Sequence, residues 1–455
     1  MRFTSMNPYT MEHIEDVPSM DKDSAMTLVD QGRVAYHHWR NTTLPLRLMG
    51  VQRIGKALQT HRTALAEAIT LEMGKPVTQS LAEVDKCVRL CEHYSETAEV
   101  YLRSREIIEP DLDAIVEYHP LGVILGIMPW NFPFWQVLRF AIPAIAAGNT
   151  VIHKPAPQVP RCARLLQELM DQAFGDLKVF QTAWVDEENV AQMIGHPGLS
   201  GVALTGSDRA GRAVASLAGL HLKVCILELG GSDPFIVLED ADLDQAIQAA
   251  VQSRMSNNGQ TCIAAKRYIV HESCYAAFRS GIVQELKQLH QGDPRSTGVF
   301  FSCLSRPDLA DQLREQVNDA LAKGATLAFG QPDDELGTTR YRPQIMEGLT
   351  SDMRMGREEV FGPVASLYPF ATLDDALRIA HETRYGLGAS IWSASPDRAM
   401  ELARQVEAGA ISINGIVRSD PRVPFGGIKD SGFGRELGEE GIRAFCNIKS
   451  IIRHP

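Results

Sequence analysis

Three segments carry the residue types that covalent chemistry needs. Cys262 closes the run Asn257-Asn258-Gly259-Gln260-Thr261-Cys262. Asn-Asn-Gly-Gln breaks a helical pattern and predicts a turn. A cysteine between that turn and Ile263-Ala264-Ala265 is expected near a helix start. Backbone N–H groups and the helix dipole there would favour the thiolate, the nucleophilic form. The competing reading is a buried, inert thiol, the usual state of a free cysteine. Glu228 ends an apolar run in Leu227-Glu228-Leu229-Gly230-Gly231. This places a carboxylate at the end of a strand beside a flexible turn. Apolar surroundings would raise its pKa and let it accept a proton near neutrality. An ion pair with Lys223 is the alternative. Asn131 sits in Pro129-Trp130-Asn131-Phe132-Pro133, where two prolines fix the backbone around its amide. A rigid amide can donate to an oxyanion, or the segment is a structural turn.

Two loops could hold a dinucleotide. Thr205-Gly206-Ser207, with Gly211, falls between a strand and a helix, and a helix start there would cradle phosphate. His153-Lys154-Pro155-Ala156 ends a strand with a lysine that either reaches a ribose or phosphate or is solvated.

The elements that must position these residues follow from periodicity. From Ser24 to about Val100 apolar residues recur at three and four, a helical pattern punctuated by Gly74-Lys75-Pro76. Near Ala114 the rhythm changes. Strands are expected over Val123–Met128, Thr150–His153, Val179–Val185, Gly201–Leu204 and Val224–Leu227. Helices are expected over Trp135–Ala147, Arg161–Phe174 and Arg209–Ala218. Continuous apolar strands between helices predict a parallel sheet covered on both faces, with ligands at the carboxyl ends of its strands. The alternation resumes with a strand over Phe235–Leu238 and a helix over Leu243–Arg254, and continues to about Asn414. Asn447–Arg453 reads as one more strand.

Composition narrows the function classes. A chain of 455 residues exceeds one compact core. The net charge of −11 argues against nucleic acid and anionic membranes as partners. No signal peptide and no membrane span is expected. Eight cysteines without CxxC pairs, and no HExxH, predict free thiols, no metal site and a reducing, cytoplasmic setting.

Taken together and in this order, PWNFP (129–133), LELGG (227–231), GQTC (259–262), EEVFGP (358–363) and PFGGIKDSGFGRE (424–436) resemble the aldehyde dehydrogenase superfamily. Glu228 precedes Cys262 by the 34 residues such enzymes show. The resemblance runs from Asn7 to the C-terminus. It implies an α/β fold of two doubly wound domains with a small β oligomerisation flap. The Rossmann-like cofactor domain would comprise residues 1–107 and 122–229, the catalytic domain 230–436, and the oligomerisation segment 108–121 and 437–455. A homodimer or homotetramer is expected.

The resemblance also implies roles. Cys262 attacks the aldehyde, the Asn131 amide and the Cys262 backbone N–H hold the oxyanion, and Glu228 activates the hydrolytic water. Lys154 would bind the adenosine ribose and Glu359 the nicotinamide ribose. Phe361 would pack by the nicotinamide, while Trp130, Gly206 and Ser207 approach the pyrophosphate. Many NAD-preferring members carry a glutamate where this chain has Pro157. Without that carboxylate a 2′-phosphate is not repelled, so NAD with usable NADP is expected. Within the family the chain is most similar to bacterial succinate-semialdehyde dehydrogenases, which implies that Arg139 and Ser419 pair with the distal carboxylate of succinate semialdehyde. A structural ion pair is the alternative for Arg139. Ser256 stands where some relatives have a second substrate arginine, and Ala264 where some have a redox-partner cysteine. Glutarate semialdehyde or a broad aldehyde range therefore remain open, as does a non-catalytic relative of the fold. A CoA-acylating enzyme is disfavoured, because it would usually lack Glu228.

Overall fold

The computed structural model describes residues 2–333 and 335–454. An antiparallel hairpin, β1 (Arg2–Met6) and β2 (His13–Pro18), opens the chain. No periodic pattern announced it. Four helices follow, α1 (Lys22–Trp39), α2 (Leu44–Thr60), α3 (Arg62–Met73) and α4 (Val77–Tyr101). Asp21 caps α1 by accepting the Ser24 N–H at 2.8 Å. α3 stops at Gly74, whose left-handed φ of 76° suits glycine. Lys75 then turns inward. It is buried, pairs with Glu83 of α4 at 2.5 Å and lies 3.9 Å from the Phe132 ring.

After α4, strands β3 (Arg105–Glu109) and β4 (Leu112–Pro120) form an antiparallel pair. The βα alternation then begins: β5 (Val123–Ile127), α5 (Trp135–Ala147), β6 (Thr150–Lys154), α6 (Pro160–Phe174), β7 (Phe180–Thr182), α7 (Glu187–Gly195), β8 (Leu199–Thr205), α8 (Asp208–Leu220) and β9 (Val224–Glu228). The parallel order β9-β8-β5-β6-β7 starts in the middle and reverses direction once. The loops leaving β5 and β8 therefore part at the centre of the sheet, where doubly wound folds bind ligands. α7, too short to show a clear period, was not anticipated. Every residue of α5 is buried. β5 packs tightly on it because Gly126 leaves room for Phe140; a Cβ there would collide with the ring.

The second half repeats the architecture. β10 (Asp233–Val237), α9 (Leu243–Met255), β11 (Ala265–His271) and α10 (Glu272–Gln288) lead to β12 (Thr326–Phe329), β13 (Gln344–Glu347) and β14 (Val364–Phe370). β15 (Tyr385–Gly386) precedes β16 (Gly388–Trp392) and β17 (Ala410–Ile413). The seven-stranded sheet has the order β12-β13-β14-β11-β10-β16-β17, parallel except at β12. β15 pairs with β18 (Ile428–Lys429). β19 (Gly432–Phe433) adds an antiparallel edge to β9 of the first sheet, although residues 432–433 fall in the stretch expected for the second domain. Gly432, at φ 111°, permits the approach to Leu227. β20 (Cys446–Arg453) pairs along β4 and completes a three-stranded sheet.

Among the described residues no helix is long and apolar enough to cross a membrane, and no group of three or more His, Cys, Asp or Glu residues could hold a metal.

Candidate active site

Cys262 follows a three-residue left-handed turn. Asn257, Asn258 and Gly259 have φ of 57°, 56° and 74°. Asparagine and glycine tolerate this region best. The asparagine side chains fasten the turn. Asn258 Nδ2 donates to the carbonyls of Gly74 (2.9 Å) and Cys303 (2.7 Å). Asn257 Nδ2 donates to those of Asn131 and Gln260, both at 3.0 Å. Buried Arg254 adds donations to the carbonyls of Val360 and Val364, each at 2.8 Å. Gly259 packs against the Gly362-Pro363 backbone, where no Cβ fits.

The expected helix after Cys262 does not form. Ile263 and Ala264 lead straight into β11, so no helix dipole acts on the thiol. The β-branched and aromatic run Tyr268-Ile269-Val270 favours the strand. Cys262 is half-buried, and burial pushes its thiol up to about 11, against the pull of Arg139 and Lys266. Lys266 was not foreseen. Its ammonium reaches the Cys262 carbonyl at 2.6 Å and Glu359 at 3.1 Å. Glu359 in turn accepts the Gly231 N–H at 3.1 Å. Lys266 thereby joins the turn bearing the thiol to the EEVFGP loop.

Glu228 ends β9, and no ion pair with Lys223 forms. Lys223 instead donates to the carbonyls of His196 (3.3 Å) and Leu199 (2.6 Å). The Glu228 carboxylate is buried, and neither oxygen has a hydrogen-bond partner among the described residues. Burial holds its pKa well above the usual carboxylate range, opposed by Arg139. Asn131 lies across from it in the β5–α5 loop. One amide N–H donates to the Gln260 carbonyl at 3.1 Å, while Oδ1 is buried without a partner.

These three residues line one cleft of about 340 Å³, with Trp130, Gly206, Ser207, Glu359 and Phe361. Trp130 and Phe361 meet edge to face at 6.0 Å. Ser207 caps α8 by accepting the Ala210 N–H at 3.3 Å, so the positive end of α8 opens on the cleft. This helix start suits a pyrophosphate. Gly230 allows Glu359 to reach in, since a Cβ there would strike its carboxylate. Gln136, Arg384 and Tyr385 also line the cleft and were not identified from the sequence. Lys154 and Pro157 lie at and just beyond the end of β6, outside this lining. Lys154 is half-buried, and no carboxylate of the described residues lies within 4 Å of its ammonium.

Neither Arg139 nor Ser419 is among the residues that line the cleft. Arg139 is buried, and its Nε pairs with Glu436. Its position on the inward face of wholly buried α5 compels this, because an unpaired buried cation is costly. Ser419 is buried too. Its Oγ accepts from Lys86 Nζ at 2.7 Å and from Trp135 Nε1 at 3.1 Å.

The pattern of the aldehyde dehydrogenase family matches residues 1–451. The chain is 41% identical to a succinate semialdehyde dehydrogenase of the NAD(P)+ type from Escherichia coli, over 98% of this chain and 97% of that one. It is 39% identical to an NADP+ succinate-semialdehyde dehydrogenase from Deinococcus radiodurans, over 100% and 95%. A crystal structure of succinic semialdehyde dehydrogenase from Streptococcus pyogenes, in complex with NADP+ as the cofactor, superposes with a TM-score of 0.96 at 33% identity, covering 99% of each chain.

Proposed function

The chain belongs to the aldehyde dehydrogenase family, and from that premise we propose that it oxidises succinate semialdehyde to succinate with NAD or NADP. The observation that carries the proposal is the convergence of Cys262, Asn131 and Glu228 on one cleft, with the Glu228 carboxylate buried and without a hydrogen-bond partner among the described residues. The cleft fits a dinucleotide: the α8 start faces phosphates, Glu359 stands ready for a ribose, and Trp130 and Phe361 offer apolar walls. When bound there, the nicotinamide supplies the hydride acceptor.

Cys262 Sγ adds to the aldehyde carbon. The second amide N–H of Asn131 and the Cys262 backbone N–H receive the developing oxyanion. Loss of hydride leaves a thioester on Cys262. Ionised Glu228 takes a proton from water, whose oxygen attacks the thioester carbon and releases the acid and the thiolate. The net reaction consumes one aldehyde, one oxidised cofactor and one water. It yields one carboxylic acid, one reduced cofactor and a proton.

Both cofactors are expected because Pro157 sets no carboxylate against a 2′-phosphate, and the relatives bear NAD(P)+ and NADP+ names. A kcat/KM panel of succinate semialdehyde, glutarate semialdehyde, pentanal and hexanal with each cofactor tests the assignment. A preference for the neutral aldehydes rejects it.

The same reading makes the protein a cytoplasmic homodimer or homotetramer, organised as the cofactor domain, catalytic domain and flap bounded above. The eight cysteines form no disulfide. The β3-β4-β20 sheet leaves Ile108, Ile448 and Ile452 exposed, an apolar face that association would cover. Light scattering of the purified protein decides it, and a monomer at micromolar concentration rejects it.

A further inference from the structure

The cleft that takes the dinucleotide is lined by four carboxylates, Asp208, Glu228, Glu358 and Glu359, and among the described residues by one cation, Arg384. The pyrophosphate of a dinucleotide is itself negative, so these carboxylates have to be offset. Glu359 pairs with Lys266 at 3.1 Å and Glu358 with Arg354 at 2.9 Å. Burial disfavours the charged form of Glu228. Asp208 is the first residue of α8 and follows Ser207. Its carboxylate therefore stands at the helix start that suits a pyrophosphate. Its one ion-pair partner among the described residues is Arg384, whose Nη1 donates to Asp208 Oδ2 at 2.5 Å.

Arg384 reaches α8 from the segment just before β15, 176 residues along the chain. Its own side of the contact is fixed. The Arg384 carbonyl accepts the Asp430 N–H at 3.1 Å, and Nη1 also donates to Asp430 Oδ2 at 2.9 Å. Nη2 donates to Tyr385 Oη at 2.7 Å, with the guanidinium 4.6 Å from the centre of the Tyr385 ring. Arg212, one turn beyond Asp208 on α8, pairs with Asp430 at 2.7 Å. Charges thus alternate in sign from Asp208 through Arg384 and Asp430 to Arg212. Asp430 keeps a cation without Arg384, and Asp208 does not.

We propose that Arg384 is a positioning residue for the cofactor: it cancels the Asp208 carboxylate and so keeps the α8 start receptive to the pyrophosphate. This rests on the cofactor cleft argued above and names the charge balance that sets its affinity. Two like charges about 4 Å apart weaken binding roughly fivefold in water, and more where protein displaces solvent. Both side chains are partly exposed, so salt screens the effect. The pyrophosphate is common to NAD and NADP, whereas the 2′-phosphate that separates them is expected by Pro157. Arg384 therefore governs affinity for both cofactors alike and leaves the choice between them to other residues.

The test is the dissociation constant of NADH and of NADPH, read from nucleotide fluorescence with the whole chain and no aldehyde. It is measured in wild type, Arg384→Met, Asp208→Asn and the double variant, at about 0.02 and 0.3 M salt. Arg384→Met should weaken both nucleotides about tenfold at low salt and less at high salt. Asp208→Asn should tighten both about threefold, and the double variant should return close to wild type. Arg384→Lys keeps a cation but loses the forked contact, so it should fall between wild type and Arg384→Met. Urea midpoints are recorded for every variant. A merely structural ion pair would lower the midpoints and leave the dissociation constants in place, which overturns the proposal. So does a double variant as weak as Arg384→Met, because Asp208 would then not be the charge that Arg384 cancels. Weakening confined to NADPH also overturns it, by placing Arg384 at the 2′-phosphate. If Arg384→Met does not fold, the sign of the Asp208→Asn effect and Arg384→Lys decide. A wild type that binds neither nucleotide rejects the cofactor cleft itself.

Discussion

Arg139 and Glu436 form a buried ion pair that lies within electrostatic reach of Cys262 and Glu228. The arginine compensates Glu436, offsets the burial of Glu228 and favours the Cys262 thiolate. Its tasks are internal ones. Arg139→Ala should therefore cost about 3–5 kcal/mol of stability by stranding a buried carboxylate, and lower kcat/KM for succinate semialdehyde and hexanal alike. Arg139→Met with Glu436→Gln should recover most of the stability, measured by urea denaturation. A selective loss for succinate semialdehyde would return Arg139 to the substrate site.

The Cys262 thiol, raised to about 11, is mostly protonated at neutral pH before ligands bind. Its alkylation by iodoacetamide should be slow at pH 7 and rise about tenfold per pH unit until the pH nears that value. Adding NADP should accelerate it, because a cationic ring nearby favours the thiolate. Cys262→Ala should abolish both the labelling at this site and cofactor reduction. A pH-independent rate between pH 7 and 9 would show that the thiolate is already formed.

Burial raises the pKa of Glu228, so the ionised base that water activation needs becomes more populated as pH rises. Thioester hydrolysis should therefore quicken with pH at about tenfold per unit below that value. Glu228→Gln should give a burst of reduced cofactor, stall at the thioester and lose this dependence. Steady turnover in that variant would remove Glu228 from the reaction.

Pro157→Glu should reintroduce repulsion against a 2′-phosphate. The kcat/KM with NADP should fall about 10- to 100-fold, less at high salt, while that with NAD holds or improves. An unchanged cofactor ratio would place the 2′-phosphate away from this residue.

Local patterns made much of the fold legible. The helix over Trp135–Ala147 appears with the expected bounds, and β5, β6, β8 and β9 fall within two residues of theirs. Their apolar runs and glycine stops are near-neighbour signals. The segment after Cys262 failed for the same reason. Ile263-Ala264-Ala265 is compatible with a helix start, and only pairing of β11 with β10 and β14 makes the chain extended. β1, β2 and β19 also escaped, since short strands exist through partners rather than period.

By itself the sequence determined the chemical types: a cysteine after an Asn-Asn-Gly turn, a glutamate closing an apolar strand, an amide between prolines, and the βα rhythm that brings strand ends together. Those follow from neighbouring residues, because turns, strand ends and periodicity are local. Only the tertiary structure decided which charges remain unpaired. Arg139 meets Glu436 across 297 residues, Lys266 meets Glu359, and Lys86 lies against Trp135 and Ser419. Charge compensation depends on distances in space, which residue order along the chain does not specify.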